Sequence, residues 1–495
     1  MLDEKIIEKL TERLVNRIEQ GNTYVLQQIG YAINKFGKIN PSGAKQLAQI
    51  LKYGGNFNKI AKKLAEITNL NIKDIYDIFE EVAKENQLFA KQFYDYKNVN
   101  YIPYNKNKEL QKQVKALAKV TAKEYSNLSN TLAFASKDSN GNIIYKDLRK
   151  AYLDTIDEAV LSISQGKDSF QNQMKKTIRK LGQSGIRTVD YESGYSRRLD
   201  SAVRMNIQGA LRDMSNELQK QFGEEYGADG IEISVHQNPA LDHAPIQGHQ
   251  FSNEEYVKMQ NSEPFKDINN KQYTAIKRHI SEWNCYHYEF AIVIGVNKPS
   301  YTEEELQEII NKNEKGFIFE GKHYTNYEGQ QLQRKIETKI RELKDTQIIA
   351  KASGNDLLVF EKQMQIKDWT SKYKQLSDVS GLPTKLDRLK VENYKKQKVD
   401  IKQLYMDKLA GIEYNGIEVG ISNHLIERGV QRKLSIDDLV DAMKNPLHTG
   451  VIKYDKEGKP SVKTIGKKVT FIINPESGNL ITWYTTGKGV RKKYE

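Results

Sequence analysis

Apolar residues recur at helical spacing along most of this chain. Ile6, Ile7, Leu10, Leu14 and Ile18 fall on one face of a first predicted helix. Asn40-Pro41-Ser42-Gly43 interrupts the pattern, and Ala44, Leu47, Ile50 and Leu51 begin a second run. Residues 69–90 predict a third helix, with Ile72, Ile75, Ile78, Phe79 and Val82 on one packing stripe. The chain favours helix again over 126–225, where 147–162 and 168–181 are amphipathic. Residues 228–236 break the period: Ile231, Ile233 and Val235 alternate as a strand. Residues 237–280 are loop-rich, and 289–296 form a second β-leaning run stopped by Asn297-Lys298-Pro299.

Thr302-Glu303-Glu304-Glu305 is a capping box that opens a helix. Residues 326–345 predict a long polar helix with opposite charges four apart, such as Glu337 with Arg341. This Lys-rich helical region, to about 410, is expected to be a spacer rather than a core. The composition changes at 411–416. Helical HLIERGVQR then leads to LSIDDLVDAMKNP, with Ser435 as N-cap and Pro446 past the helix end. Three strand-like segments follow, HTGVIKYD, KKVTFIINP and NLITWYTT, with turns at 456–459 and 476–479.

The fold class expected is therefore α+β. The N-terminal and spacer regions are mostly α-helical, around a small mixed α+β core domain. A C-terminal helix-plus-antiparallel-sheet domain ends the chain. The expected units are 1–125, 126–225, 226–300, 301–410 and 411–495, since 495 residues exceed a single core.

A mean hydropathy of −0.70 fits long, exposed, amphipathic helices better than a compact enzyme. Lys and Arg total 77 against 64 Asp and Glu, a net charge of +13 that favours contact with a polyanion by counterion release. Lys-rich composition alone also yields basic proteins without that role. A single cysteine excludes an intramolecular disulfide and agrees with assembly in a reducing cytoplasm. The N-terminus lacks a signal-like apolar core and no run of about 18 apolar residues occurs, so neither secretion by that route nor a membrane partner is expected.

The densest polar chemistry lies between Ser234 and Tyr288. His236, His243, His249, His279, His287 and the lone Cys285 all fall there. A structural zinc site wants four imidazole or thiolate ligands, which His236, His243, His249, Cys285 and His287 could supply. Cys-x-His is not a standard spacing, however, and no CxxC knuckle exists. The expectation is no metal and no cofactor. Asp242, His243 and Gln247 would instead tie down a long loop by hydrogen bonds, with Cys285 a small buried residue. Arg197, Arg198 and Arg204 begin the helix after Gly194, either as a solvated face or as a grip on phosphate or an acidic partner protein.

The run SVHQNPALDHAPIQGHQF, followed about thirty residues later by WNCYHYEFAIVIG, resembles the minor capsid protein 2 family of tailed phages of Gram-positive bacteria. These are relatives of the Mu-F-type minor head proteins. GIRTVDYESG and GKHYTNYEGQQLQRKIETKIRELK look like further blocks of that family, so the resemblance covers roughly 1–395. It implies a minor head component, few per virion, at the portal vertex or inside the capsid near it. Its partners would be the portal protein, other capsid components and packaged DNA. It would reside in the virion and, during assembly, in the host cytoplasm. Tyr286 departs from the basic residue common in the family.

The C-terminal segment resembles barnase–EndoU–colicin–RelE-like nucleases. From Ile421 onward it holds 14 Lys/Arg against 8 Asp/Glu. Metal-independent RNA cleavage needs a base for the 2′-hydroxyl, an acid for the leaving oxygen, and cations around the phosphorane. His424 and Glu427 are the candidate acid and base. Arg428 shares a helical face with His424, and Arg432 extends it by a turn. Lys453, Lys463 and Lys467 could hold phosphate, and Thr485 and Thr486 could orient it. His448 is a rival histidine; Ser461 and Thr470 are weaker candidates. The resemblance implies an effector acting on RNA, most simply tRNA, after ejection with DNA. The alternative is a purely structural head protein whose C-terminal domain is inactive or binds protein. A free toxin with a carrier domain fits less well, because no secretion signal is present.

Overall fold

The computed structural model describes residues 4–37, 62–63, 66, 72–130, 132–137, 143–147, 170–185, 187–189, 196–280, 285, 287–396, 400–432 and 434–494. The fold is mixed α+β, with long helices and small antiparallel sheets. Among the described residues the chain opens with the helices α1 (Glu4–Gly37), α2 (Ile72–Lys97) and α3 (Lys108–Asn130). The apolar stripe on α2 is the expected one: Ile75, Ile78, Phe79 and Val82 are buried. The second predicted run, 44–51, lies outside the described residues.

The stretch 126–225 departs from the helical expectation. Strands β1 (Leu132–Lys137), β2 (Ile143–Asp147), β3 (Arg187–Val189) and β4 (Ser196–Arg198) form an antiparallel sheet in the order β2-β1-β3-β4. Of the predicted helix 147–162, only Asp147 is described, and it ends β2. The helix expected over 168–181 is present as α4 (Phe170–Ser184). Helix α5 (Leu199–Tyr226) then runs through the main core and packs on α1, α2 and α3. Val203, Ile207, Leu211 and Leu218 are buried along it, and so are Arg212, Ser215 and Gln219. A helix buried on several sides carries no single clean apolar stripe, which is why the sequence gives it a weak signal.

The region expected as a spacer is packed. Helix α8 (Asn326–Ala352) lies against α1, α4 and α9 (Asp356–Ser380), and its Ile349 joins the main core. Glu337 and Arg341 do not pair on an exposed face. The buried Glu337 accepts a 2.9 Å hydrogen bond from the Tyr373 hydroxyl, and Arg341 turns to Asp200 at 3.2 Å. The charges predicted to be solvated are internal.

Arg198 corrects its expectation in the same way. It is buried, with its guanidinium 2.8 Å from Asp345 and 3.4 Å from Asp200. Asn22 of α1 adds a 3.3 Å hydrogen bond to Asp345, and Arg204 makes two bonds to Glu12 at 2.6 and 3.2 Å. Arg198 and Arg204 are thus neither a solvated face nor a phosphate grip. Gly185, the residue after α4, has φ +58°, and a Cβ there would stand 2.6 Å from the Arg198 guanidinium. Glycine meets both the left-handed backbone and the close approach.

A small sheet follows in the order β6-β5-β9, from Gln250–Ser252, Gly230–Ile233 and Glu289–Ile292; helix α6 (Asn253–Gln260) and the paired strands β7 (Phe265–Lys266) and β8 (Gln272–Tyr273) lie between β6 and β9 in the chain. Helix α7 (Glu303–Lys315) opens with the expected capping box of Thr302 and Glu305, the hairpin of β10 (Phe317–Phe319) and β11 (Lys322–Tyr324) follows, and α8 opens with a second box, of Thr325 and Glu328.

Helix α10 (Ile401–Leu409) and the hairpin of β12 (Glu413–Tyr414) and β13 (Ile417–Glu418) lead into the C-terminal module, whose apolar core includes Ile426, Leu439, Phe471 and Trp483 together with Tyr405 of α10. Helices α11 (Asn423–Gln431) and α12 (Ile436–Lys444) cover one face of a sheet ordered β14-β16-β17-β18. Those strands are His448–Thr449, Pro460–Ile465, Val469–Ile473 and Leu480–Thr485; β15 (Lys453–Tyr454) also pairs with β16. The strand 460–465 was not anticipated. Gly429 lets α11 sit on Trp483, since a Cβ there would meet the indole at 1.9 Å. Ser435 occupies the N-cap position of α12 without making a side-chain capping bond.

Glu19 of α1 faces the charge cluster. Burial first, then the neighbouring Asp200 carboxylate, pushes its pKa from the ordinary 4.5 to about 8. Asp200 moves the other way: burial opposes ionisation, but Arg341 and Arg198 hold it at about 2. The folded chain therefore keeps a proton on Glu19 that the unfolded chain releases above about pH 4.5, so this group lowers stability as pH rises from 4.5 to 8. Asp200 contributes stability that is lost as pH falls from about 4 toward 2. Glu19→Gln should flatten the decline in melting temperature between pH 5 and 8 and exceed wild type at pH 8. The two proteins should converge near pH 4. Thermal melts across this range decide it, and parallel wild-type and variant curves contradict it.

Candidate functional site

Strand pairing assembles the polar cluster. β5 pairs with β9 so that Ile233 stands opposite Glu289. The chain leaving β5 and the chain entering β9 are thus neighbours. Ser234 fastens them: its amide donates to the Tyr288 carbonyl at 3.0 Å, and its Oγ accepts from the Tyr288 amide at 2.8 Å. The loop after β5 folds back, with Gly248 N donating to Ile233 O at 2.9 Å, which brings His243 and Gln247 over the same strand ends. On the other side α5 reaches in. Arg212 Nη1 donates to the Cys285 carbonyl at 2.8 Å, and Tyr226 donates to the Ala291 carbonyl at 2.8 Å.

His243, Cys285 and His287 meet here, all buried, with potential ligand atoms within 4.8 Å of one another. Cys285 Sγ lies 3.5 Å from His287 Nδ1 and 3.7 Å from His243 Nδ1. His236 packs its ring edge-on against His287, with centroids 4.4 Å apart. Burial, the larger effect, and neighbouring cationic or imidazole groups lower the pKa of His287 well below the usual value. Burial also lowers His243. Both shifts favour the neutral imidazole. The loop-tying role expected of Asp242, His243 and Gln247 is visible as well. Asp242 pairs with Arg278 at 3.0 Å, His243 Nε2 meets the Arg278 carbonyl at 2.8 Å, and Gln247 brackets the His236 backbone at 2.9 and 3.1 Å. Tyr286 lies outside the described residues.

His249 joins a second group, with Asp267 and Glu303. Its Nε2 is 2.8 Å from Glu303, which also meets Lys271 at 3.4 Å. Asp267 accepts bonds from the Asn269 and Lys271 amides and from the Tyr273 hydroxyl. Sequence reading missed Asp267, Glu303, Arg212 and Arg278. Asp267-x-Asn-Asn-Lys is a legible turn, but nothing local ties Arg212 to a cysteine 73 residues away.

The C-terminal candidates divide into separate places. His424, Glu427, Arg428 and Arg432 are exposed on or next to α11, and Arg432 donates to the Trp483 carbonyl at 3.1 Å. Thr464, Phe471 and Trp483 are register partners on the sheet face that α11 covers. Alternation then directs the exposed Lys463 to the opposite face. Lys453 is exposed on β15 and Lys467 in the turn before β17. Thr485 is exposed. Thr486 is buried, donating to the Gly466 carbonyl at 2.8 Å and meeting Thr470 at 2.9 Å, so its hydroxyl closes the sheet. Ser461 meets the Lys453 carbonyl at 3.3 Å, and His448 stacks on Tyr494.

A helical frame locked by internal charge pairs surrounds a small sheet with a buried polar knot. Residues 2–378 match the family model of Phage minor capsid protein 2, and the chain belongs to that family. The match takes in the frame and the His/Cys sheet and ends before the C-terminal module. No curated protein and no solved structure matches the chain. Among the described residues, no helix is long and apolar enough to cross a membrane.

Gln247 connects both halves of the knot, so Gln247→Leu should destabilise the protein. It strips partners from the His236 backbone and from His287, at about 1–3 kcal/mol per buried group left unsatisfied. A lower midpoint in urea unfolding, with an unchanged slope, is the expected result; an unchanged midpoint contradicts this role.

Proposed function

We propose that this capsid-family protein is a low-copy head component at the portal vertex, and that residues 411–495 form an RNA-directed effector carried with it. The family match through 2–378 is the observation that carries the head role. Its partners in this reading are the portal protein, other head components and the packaged DNA. Quantitative mass spectrometry of purified virions should find it at a few copies per particle, cross-linked to portal protein. Absence from particles contradicts the reading.

Three observations support an effector. The module lies beyond the matched region, and its apolar core, completed by Tyr405 and Leu409 just before it, is separate from the main core. Its helix α11 presents His424, Glu427 and Arg428 to solvent on successive turns. An exposed imidazole can take up or give a proton, and an arginine on the same face suits a developing phosphorane charge. The opposed placement of Lys463 and the engaged hydroxyl of Thr486 narrow the proposed site to α11, with Arg432 and Thr485 near it. A protein-binding tip is the second reading. It is favoured by Val451, Ile452 and Tyr454, which are 78%, 50% and 66% exposed beside Lys453.

Purified full-length protein should cleave tRNA in EDTA, and His424→Ala should slow cleavage by about a hundredfold or more. Arg428→Ala should lose rate and RNA binding together. A wild-type protein that leaves RNA intact favours the binding tip. If His424→Ala cuts as fast as wild type, α11 is not the site and His448 is the next candidate.

A further inference from the structure

We infer that His243, Cys285 and His287 are three ligands of a zinc ion held at the strand ends of β5 and β9. The hydrogen-bond network fixes which nitrogen of each ring is available. The His236 amide is an obligatory donor and bonds to Gln247 Oε1 at 2.9 Å, so that atom is the amide oxygen. The same oxygen is 3.3 Å from His287 Nε2, which must therefore carry the hydrogen. His243 Nε2 faces the Arg278 carbonyl at 2.8 Å, and a carbonyl only accepts. Both neutral rings thus keep a lone pair on Nδ1, and both Nδ1 atoms face the same sulfur.

A thiol has one hydrogen and can satisfy only one of two lone pairs. A divalent ion satisfies both, and takes the thiolate too, with the thiol proton released to water. The spacing suits it. Zinc–sulfur and zinc–nitrogen bonds of about 2.3 and 2.05 Å at a tetrahedral angle set sulfur and nitrogen about 3.6 Å apart. The two separations here are 3.5 and 3.7 Å. Outer acceptors of the kind that orient metal-bound imidazoles are in place: a backbone carbonyl for His243 and an amide oxygen for His287. Two imidazoles and a thiolate select zinc over magnesium or calcium. The fourth position falls to water or to His236.

This reverses the expectation drawn from spacing. Cys-x-His is no zinc knuckle by itself. Pairing of β5 with β9 adds His243 from 42 residues away. The His249, Asp267 and Glu303 group is the internal competitor. Its acidic members already hold backbone amides, Tyr273, Lys271 and His249 itself.

The test uses untagged full-length protein from zinc-supplemented medium. Elemental analysis should find about one zinc per chain. After chelation, titration with Co²⁺ should give a near-ultraviolet thiolate-to-cobalt band and the strong visible bands of a four-coordinate ion. Cys285→Ser should lose the thiolate band, and His243→Ala should lose stoichiometric metal, while His249→Ala retains both. Wild-type protein with no stoichiometric zinc and no cobalt–thiolate band overturns the inference, whatever the variants do. So does metal that survives Cys285→Ser unchanged and leaves with His249→Ala, which would assign it to the other group.

Discussion

The structure depends on charges buried where no water can relieve them. Asp345 is fully buried, and Arg198 lies against it with Asp200 and Arg341 beside them. Each charge alone would cost several kcal/mol inside a protein, so the four must be placed together or not at all. They come from α8, from the end of β4 and the start of α5, and Asn22 brings in α1. The cluster therefore fixes how the N-terminal helices, α5 and α8 meet. Removing one member would cost about 3–5 kcal/mol, because its partner would remain buried and unpaired.

That constraint reaches the polar knot through α5. The helix that starts at the Arg198–Asp200 pair carries Arg212, Asn216 and Tyr226 farther along. These bond to the Cys285 carbonyl, to Glu289 and to the Ala291 carbonyl. One helix thus sets both the packing of the frame and the position of β9. Because β9 is registered against β5, His243 and Gln247 inherit the same placement. The knot is a consequence of the frame rather than a free-standing motif, which agrees with a family match that spans both.

Local patterns were legible in the sequence; long-range partners were not. The apolar stripe on α2 and the Thr302–Glu305 box are periodic or adjacent features, and both are present. The Thr325–Glu328 box has the same local spacing and opens α8 in the same way. Arg198, Arg204, Glu337 and Arg341 read as solvent-facing because Lys- and Glu-rich helices usually are. Only a partner far along the chain, such as Asp345 for Arg198, turns such a residue inward. The His and Cys residues were visible as a cluster but not as a convergent set, because the convergence comes from strand pairing. Ser435 shows the reverse error: the right residue type stands at the cap position and makes no capping bond.

The same distinction changes what the net charge of +13 can mean. A cation contributes to polyanion contact only if it faces water and is not already neutralised nearby. In the frame, Arg198, Arg204 and Arg341 fail that condition, since each is bound to a carboxylate. In the C-terminal module, Lys468 pairs with Asp438 and Asp437 with Lys408 just before the module, whereas Arg428, Lys453, Lys463 and Lys467 are exposed. Those exposed cations lie on more than one face, so the module's field is spread around it rather than gathered in one cleft. Such a field suits the approach of a polyanion better than the grip of a single phosphate. On the proposed reading, a phosphate grip would come from a short arc such as the solvent side of α11, where a histidine and an arginine are four residues apart on a helix anchored by Trp483.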